Sequence, residues 1–600
     1  MTIMKLRNIK YIFIAASGLW LPVVAQAQMS YDDEDTAVVR KKVPQKALPS
    51  YRMQEVKGRV VDAATRKPLG GVQIQALNDN RYSAMTDDMG EFVIKVPEFE
   101  TTLIAFTQDF LTQKVSVGKP GQTLNVSMIN DRFRPMYSNS TNILAAPFAG
   151  MRNTTELSAE TQIGEFLGGD VRVINRSGGP GYGAAMFIRG LNSINADAQP
   201  LIVLDGVIQD MQQTRTALHD GDYTNLMLNI NPEDIDNIRI LKNGTAVYGA
   251  RGGNGVILIT TKRGRSLATR IDANISAGVT LLPKLPDMMN EDQYRAYAAE
   301  MLGTYPNINN YGPFWFLNND PSRFYYKWYN GNNTDWTKEV YHEAFTQNYN
   351  INVQGGDNVG MYNLSLGYTN AMSTAKENGF NRLNVRFNND INILRNLRTR
   401  FDMSFSKINR NVFNNGAPED FTSAPVSSPT FLALIKSPFL SPYTYNNSTG
   451  QLSGTLYGPD DFLIGTDVHP TGLPSELSLG NPMALLENGE GVNKNRSEMT
   501  HFNATVAPSY EFNPNLKLTE TFSYTYDYNS QRYYRPKGGM PTFHIPDVGS
   551  VENMTRALSA KETSVISDTR LDWNGRFGAH RLNVSGGLRF SSFSFEENIP

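Results

Sequence analysis

The chain has 600 residues, a formal net charge of −2 and 19% charged residues, so it lacks the basic excess that holds nucleic acid by counterion release. It contains no cysteine, which excludes disulfides and thiolate metal sites. A chain this long implies several domains of about 100–200 residues each, and its richness in Gly, Asn, Ser, Thr and Tyr suits half-buried strands and turns better than helices.

The N-terminus carries a processing signal. Lys5, Arg7 and Lys10 precede an apolar run from Tyr11 to Ala25, followed by Ala25-Gln26-Ala27. A short apolar run after basic residues, ending in A-x-A, reads as a secretory signal over residues 1–27, cut after Ala27. The run is too short for a spanning helix, which needs roughly 20 apolar residues, and Pro22 falls near its end. The mature chain is therefore expected to be exported, to begin near Gln28 and to have no transmembrane helix. Residues 28–54 follow as a flexible lead without periodicity, acidic at Asp32 to Asp35.

Residues 55–130 read as a small β-sandwich. Val56 to Asp62, Val72 to Ala76, and Glu91 to Val96 are strand-like runs separated by turn residues near Pro68-Leu69-Gly70 and at Thr86-Asp87-Asp88-Met89-Gly90. Asp87 and Asp88 pair two acids, yet Asp ahead of Gly in a hairpin reads as a turn former rather than as a catalyst. The patterns G-x-V-x-D, P-L-x-G-V and T-D-x-x-G-x-F in this stretch resemble the carboxypeptidase-regulatory-like domain, which implies a non-catalytic sandwich.

Residues 131–164 read as a polar linker, and 165–265 as a compact domain of short strands, glycine turns and a few helical turns. Gly249, Gly252, Gly253 and Gly255 are spaced for tight bends. A phosphate-cradling loop is excluded because Gly255 runs directly into Val256-Ile257-Leu258-Ile259, a strand, where such a loop must open a helix.

The ordered motifs Phe187-Ile188-Arg189-Gly190, Pro200-Leu201-Ile202-Val203-Leu204-Asp205-Gly206-Val207, Ile230-Asn231-Pro232-Glu233-Asp234-Ile235 with Ile238 to Lys242, and Tyr248-Gly249-Ala250-Arg251-Gly252-Gly253-Asn254-Gly255-Val256 resemble the plug domain of SusC/RagA-like TonB-dependent outer-membrane transporters. The resemblance implies a plug seated in a β-barrel, energy drawn through TonB in the periplasm, a SusD-like surface lipoprotein lid, and a glycan or, second, a peptide as cargo. It also implies that plug cations at Arg189, Lys242 and Arg251 face barrel carboxylates; turn-stabilising side chains are the other reading. Its TonB-contact segment has no clear match: residues 131–164 are polar, and Asp32 to Val39 in the lead is the other candidate.

Residues 266–600 alternate at period two. Ile271, Ala273, Ile275, Ala277 and Val279 share one face, as do Tyr349, Ile351 and Val353, then Tyr362 to Tyr368, then Leu383, Val385 and Phe387. Asn348, Asn350, Asn352, Asn363, Ser365, Asn384, Arg386 and Asn388 share the other. Further strands centre on Phe401, Val506, Tyr524, Leu571 and Leu588. Links at Gly355–Asn358, Leu394–Asn396, Asn513–Asn515 and Asn574–His580 are short, and those near 284–344, 371–379, 410–496 and 531–560 are longer. Short and long links in strict alternation fit a membrane barrel with short periplasmic turns and long outer loops. The expected fold class is thus mainly β: a small β-sandwich, an α+β plug, then about 9 strands of a large antiparallel transmembrane β-barrel that would have about 22 in full. The 600 residues are accordingly expected to be the N-terminal piece of a longer polypeptide in the cell outer membrane, surrounded by its lipid. Glu520 fits badly, because it falls on the row Leu516, Leu518, Phe522, Tyr524, Tyr526 that should face lipid; a bulge or an interfacial level would rescue it.

The first long link is dense in aromatics, among them Trp315, Trp328, Tyr329 and Trp336. Trp315, Trp328 and Tyr329 are the candidate sugar-stacking residues, with lid packing and the interfacial aromatic belt as the other readings. No Ser/His/Asp or paired-carboxylate arrangement stands out, and His219, His342, His469, His501, His544 and His580 are too dispersed for a metal. No catalytic residue, metal or cofactor is expected, and an enzyme is the least favoured class. A binding receptor or adhesin without transport is the alternative function.

Overall fold

Strand-forming runs become three β assemblies in the computed structural model. It describes residues 52–599 apart from 64, 78–81, 108–109, 111–112, 119–121, 129–142, 148–156, 168, 176, 193–196, 211–216, 265–268, 305–320, 323–326, 328–329, 358, 395, 416–425, 447, 460–478, 488–494, 514, 546–548 and 578–579. The signal and nearly all of the lead lie outside the described residues. No helix among the described residues is long and apolar enough to cross a membrane.

The first assembly is a sandwich. One sheet joins Met53–Asp62 to Glu91–Pro97 and, in parallel, to Leu124–Met128; the other orders Ser83–Met85, Gln73–Ala76, Thr102–Phe106 and Gln113–Ser116. Val56, Val60, Ile74, Phe92, Ile94, Leu103 and Val126 fill the space between them. Asp87 caps its own turn, its Oδ1 accepting from the Met89 and Glu91 amides at 3.0 and 2.8 Å, with Gly90 at φ +74°.

The plug is built on a five-stranded sheet ordered Val207–Gln209, Leu201–Leu204, Val256–Thr261, Ile235–Leu241, Ile143–Pro147. Helix Ala159–Leu167 and hairpin Val171–Asn175/Ala184–Ile188 cover it over a core of Ile163, Met186, Ile202, Ile238, Ile257 and Ile259. Ile143–Pro147 and the first six residues of the helix fall inside the span read as a linker, and Ile143–Pro147 is a strand of the plug sheet. The apolar run at 143–147 is too short to stand out from its polar neighbours and becomes a strand only through pairing with Ile235–Leu241, distant in sequence.

Nine antiparallel strands form the third assembly: β1 Arg270–Thr280, β2 Ala344–Gly356, β3 Gly360–Met372, β4 Gly379–Asn392, β5 Leu397–Asn411, β6 Arg496–Asn513, β7 Leu516–Arg535, β8 Met554–Phe577 and β9 His580–Asn598. Each pairs with the next, and β1 and β9 are the outer strands of an open sheet. The apolar row points away from the protein: Ile271 and Ile275 are 67% and 72% exposed, whereas Asn363 and Ser365 on the polar row are 1% and 2% exposed beneath the plug. A soluble sandwich buries its apolar face; this sheet does the reverse, as a barrel wall in lipid must.

The long links fold over one end. Helices Trp336–Val340, Pro429–Ile435 and Pro482–Glu487 pack together, with Trp336, Phe413, Phe439, Tyr457 and Leu486 in one apolar cluster and Leu432, Leu456, Leu485 and Met540 in another. Trp336 is buried there and donates its indole N–H to the Ser437 carbonyl at 2.9 Å.

Candidate functional site: the plug seat

Four arginines on the inward rows of β4 and β5, Arg382, Arg386, Arg400 and Arg410, meet the plug. Arg410 forks onto Asp222, Nη2 to Oδ1 at 2.7 Å and Nη1 to Oδ2 at 3.3 Å, and its guanidinium lies 4.9 Å from the Tyr182 ring centre. Gly181, at φ +79°, lets the chain pass; a Cβ there would strike the Phe380 ring. Arg382 donates Nη1 to two plug carbonyls, Leu157 at 2.8 Å and Leu228 at 3.0 Å. Arg386 sits between Asp205 at 3.7 Å and Asp234 at 3.4 Å, while Arg400 donates to the Asp205 carbonyl at 2.8 Å and pairs with Asp402 at 3.0 Å.

Asp205 and Gly206 form the tight turn after strand Leu201–Leu204, at φ +49° and +88°. The Asp205 carboxylate is anchored within the plug by Thr261, whose amide and hydroxyl donate at 2.9 and 2.8 Å. That anchor leaves the carboxylate in place to receive Arg386. Asp234 is held by the helical turn Pro232–Asp234, which Asn231 caps.

Amides complete the seat. Asn384 donates to the Asn229 carbonyl at 2.9 Å, and Asn388 to Thr261 Oγ1 and the Lys262 carbonyl at 2.8 Å each. Gln531 accepts the Leu218 amide at 2.8 Å, and Asn415 donates to the Tyr182 hydroxyl at 2.7 Å. Where the plug runs out toward β1, Arg263 makes a bidentate contact with Asp390 at 2.9 Å and reaches Asp402 at 2.7 Å. Apolar contact across the seat is confined to small clusters, chiefly Leu228 with Phe380, Ile408 and Met499.

Inside the plug, Glu160 is buried, and among the described residues no cation pairs with it. Its carboxyl accepts from the Ser158 hydroxyl at 3.0 Å, the Ala184 amide at 3.2 Å and the Asn225 side chain. Burial pushes it up to about 7, against the three hydrogen bonds. Asn225 also caps the helical turn Leu226–Asn229 whose carbonyls Arg382 and Asn384 grip. His219, buried against Asn495 and Tyr533, is lowered by burial, with Asp222 pulling the other way.

The seat has the polarity opposite to the first of the two readings of the motif cations. Arg189, at φ +63°, donates to the Gly253 carbonyl at 2.8 Å inside the plug, Lys242 pairs with Asp170 of the plug, and Arg251 is exposed on the turn Gly249–Gly252. These three are turn and scaffold residues; the cations of the seat stand on the wall and the carboxylates on the plug, with Arg263 the exception. The other motif residues also shape the plug: Gly190, Gly249 and Gly255 take positive φ, and a Cβ at Gly255 would meet Ile188 at 2.7 Å. Tyr248 reaches the wall, its ring 5.9 Å from the Arg589 guanidinium of β9. Arg382, Arg400, Arg410, Asp222, Asp234 and Glu160 were missed as site residues. Parity identifies the wall members, since Arg386 sits on an inward row and even positions around Phe401 point the same way. Trp315, Trp328 and Tyr329 lie outside the described residues.

Residues 152–256 match the TonB-dependent Receptor Plug Domain. The chain is 33% identical over 221 residues to the TonB-dependent receptor SusC of Bacteroides thetaiotaomicron, covering 36% of this chain and 20% of that protein. It is 24% identical over 570 residues to the TonB-dependent receptor P3 of Formosa agariphila, covering 90% of this chain and 48% of that one. Among solved structures, the RagAB peptide importer in its closed-closed state aligns with TM-score 0.55 and 18% identity, over 77% of this chain and 52% of that chain. The chain thus spans about half the length, or less, of the curated relatives it matches. A TonB-dependent receptor plug domain over residues 152–256 is thus seated on a wall with its polar row inward and its apolar row outward, and the chain is similar in sequence to SusC and in fold to the RagAB importer.

Proposed function

We propose that the chain forms the plug-bearing part of an outer-membrane importer that takes up a large nutrient with energy delivered by TonB. The observation that carries this reading is the chemistry of the seat. Plug and wall meet through ion pairs and hydrogen bonds, whereas the plug keeps an apolar core of its own. Polar groups released from such a seat are taken up by water, so the plug can loosen without opening a hydrophobic interior. A permanent stopper has no need of that arrangement, which argues against the second reading, a surface receptor that binds without transport.

A SusD-like lipoprotein is the proposed lid over the long links, and a neutral oligosaccharide the proposed cargo. Support for the cargo comes from the wall itself: its inward rows also carry buried Asn350, Asn363, Ser404, Ser406, Asn503 and Thr525, uncharged groups that match sugar hydroxyls. Trp315, Trp328 and Tyr329 are proposed as stacking residues on the outer side, and a peptide is the second cargo class.

The test is uptake of fluorescent oligosaccharide and peptide pools by cells carrying the full-length protein, with and without TonB. TonB-dependent accumulation of an oligosaccharide is expected. Surface binding that is unchanged by TonB loss, with no accumulation, would establish the receptor instead.

A further inference from the structure

Glu520 is an acidic residue of the alternating pattern that the fold leaves on the outward row near the short-turn end. No bulge turns it inward. The β6–β7 register keeps the same offset at Val506↔Phe522 and at Ser509↔Thr519, and its single shift lies below, between Glu511 and Asn513. Glu520 therefore shares the outward row with Leu518 and Phe522. Its neighbours on β8, Thr569 directly opposite and Ser567 one rung above, point the same way and donate their hydroxyls to its two carboxylate oxygens, Ser567 at 2.7 Å. On its other side the register places Pro508, which has no N–H to donate, and the ladder omits this rung.

The surroundings are apolar. Phe522, Leu571, Leu588 and Phe590 stand exposed around the notch, and Tyr510 and Phe512 pack edge to face at 4.9 Å below it. Glu520 lies five residues beyond Asn515 in the short β6–β7 turn, which at roughly 3.3 Å per residue and a tilted strand puts it about 12 Å above the turn. That is just inside the aromatic belt on the short-turn side, at the boundary between headgroups and acyl chains. An ionisable side chain on a lipid-facing row is costly and marks a function by default. Leucine would continue the row, and the two hydroxyls could bond backbone carbonyls without a carboxylate.

We propose that Glu520, Ser567 and Thr569 form a binding notch for the primary ammonium of an ethanolamine phospholipid in the periplasmic leaflet. The inference rests on the barrel reading but is independent of cargo and of TonB. The two hydroxyls hold the carboxylate upright on the wall, and the remaining lone pairs face the bilayer. An ammonium supplies the opposite charge and the donors that this apolar belt lacks. Phosphatidylglycerol, which has hydroxyls and no cation, leaves the carboxylate uncompensated. β7, β8 and β9 pair without a break at this level, so Glu520, Ser567 and Thr569 stand on adjacent paired strands.

The test is lipid retention by the full-length protein in nanodiscs made from equal parts phosphatidylethanolamine and phosphatidylglycerol, read by native mass spectrometry. Enrichment of the ethanolamine lipid by roughly fivefold is expected, as for a partly exposed ion pair. Glu520→Gln keeps a hydrogen-bonding side chain of the same size and is expected to lose the enrichment, while Glu520→Asp keeps the charge and retains it. Folding is followed by resistance of the barrel to SDS at room temperature. Equal lipid profiles for wild type and Glu520→Gln overturn the proposal. So does conversion of a dimer to a monomer by Glu520→Gln with no change in lipid, which would assign the notch to a second copy. Failure of transport in the uptake experiment leaves this result untouched.

Discussion

Arg410 of the wall and Asp222 of the plug form a bidentate pair whose side chains are 1% and 2% exposed. Each charge is stranded without the other. Asp222→Ala is expected to weaken plug seating by about 3–5 kcal/mol, because it leaves a buried guanidinium uncompensated. Replacing both with apolar residues, Arg410→Met with Asp222→Leu, is expected to recover most of that loss. Hydrogen exchange of plug amides in the detergent-solubilised protein checks both: the single variant should speed exchange throughout the plug, the double variant far less.

Gly181 brings the same corner together from the plug side. Its φ of +79° strains any side chain, and a Cβ would strike Phe380 and approach Arg410 Nε within 3.0 Å. Gly181→Ala is therefore expected to cost roughly 1–3 kcal/mol in seating and to let small antibiotics leak through the barrel. The matching change at Gly190, also at positive φ but with open space around its Cβ position, should show the backbone strain without the leak. Equal leakage from both would mean that contact with Phe380 is not what seats this corner.

Much of this was legible in the sequence. All nine barrel strands stand where alternation put them, because lipid on one face and a polar seat on the other give period two its sharpest contrast. The plug sheet was legible through its glycine turns and β-branched runs. Its first strand was not, since Ile143–Pro147 owes its structure to a partner distant in the chain. The polarity of the seat was hidden for a related reason. Motif cations such as Arg189 and Lys242 satisfy local carbonyls and carboxylates first, and only the inward parity of Arg386 pointed to the wall as the source of positive charge.

Glu160 makes plug stability depend on pH. Its carboxyl is raised by burial from 4.5 to about 7, so the folded plug keeps a proton that the unfolded chain releases. The stabilisation is complete below pH 4.5 and is lost as pH rises to about 7, in total roughly 3 kcal/mol. Exchange of plug amides, corrected for the intrinsic rate, should therefore be slower at pH 5 than at pH 8. Glu160→Gln, which carries no titrating proton, should flatten that dependence. A slope that survives in the variant would assign it to another group.

Lys436 works in the opposite sense in the cap. It follows helix Pro429–Ile435, and its ammonium donates to the Leu479 carbonyl at 2.9 Å and lies 5.6 Å from the Trp336 ring centre. Burial alone lowers it from 10.5 to about 7. Because its folded value is depressed, it favours the folded cap above pH 10.5, and that contribution is lost as pH falls through about 7. The packed links should thus resist surface protease better at pH 9 than at pH 6.5. Lys436→Met fills a similar volume without a charge to desolvate, and is expected to stabilise the cap at pH 6.5 by about 2–4 kcal/mol, offset in part by the lost bond to Leu479. Trp336→Ala removes the ring that spans Lys436 and Ser437 and should open the cap at both pH values. A Lys436→Met cap that is cut faster than wild type at pH 6.5 would show that the hydrogen bond outweighs the buried charge.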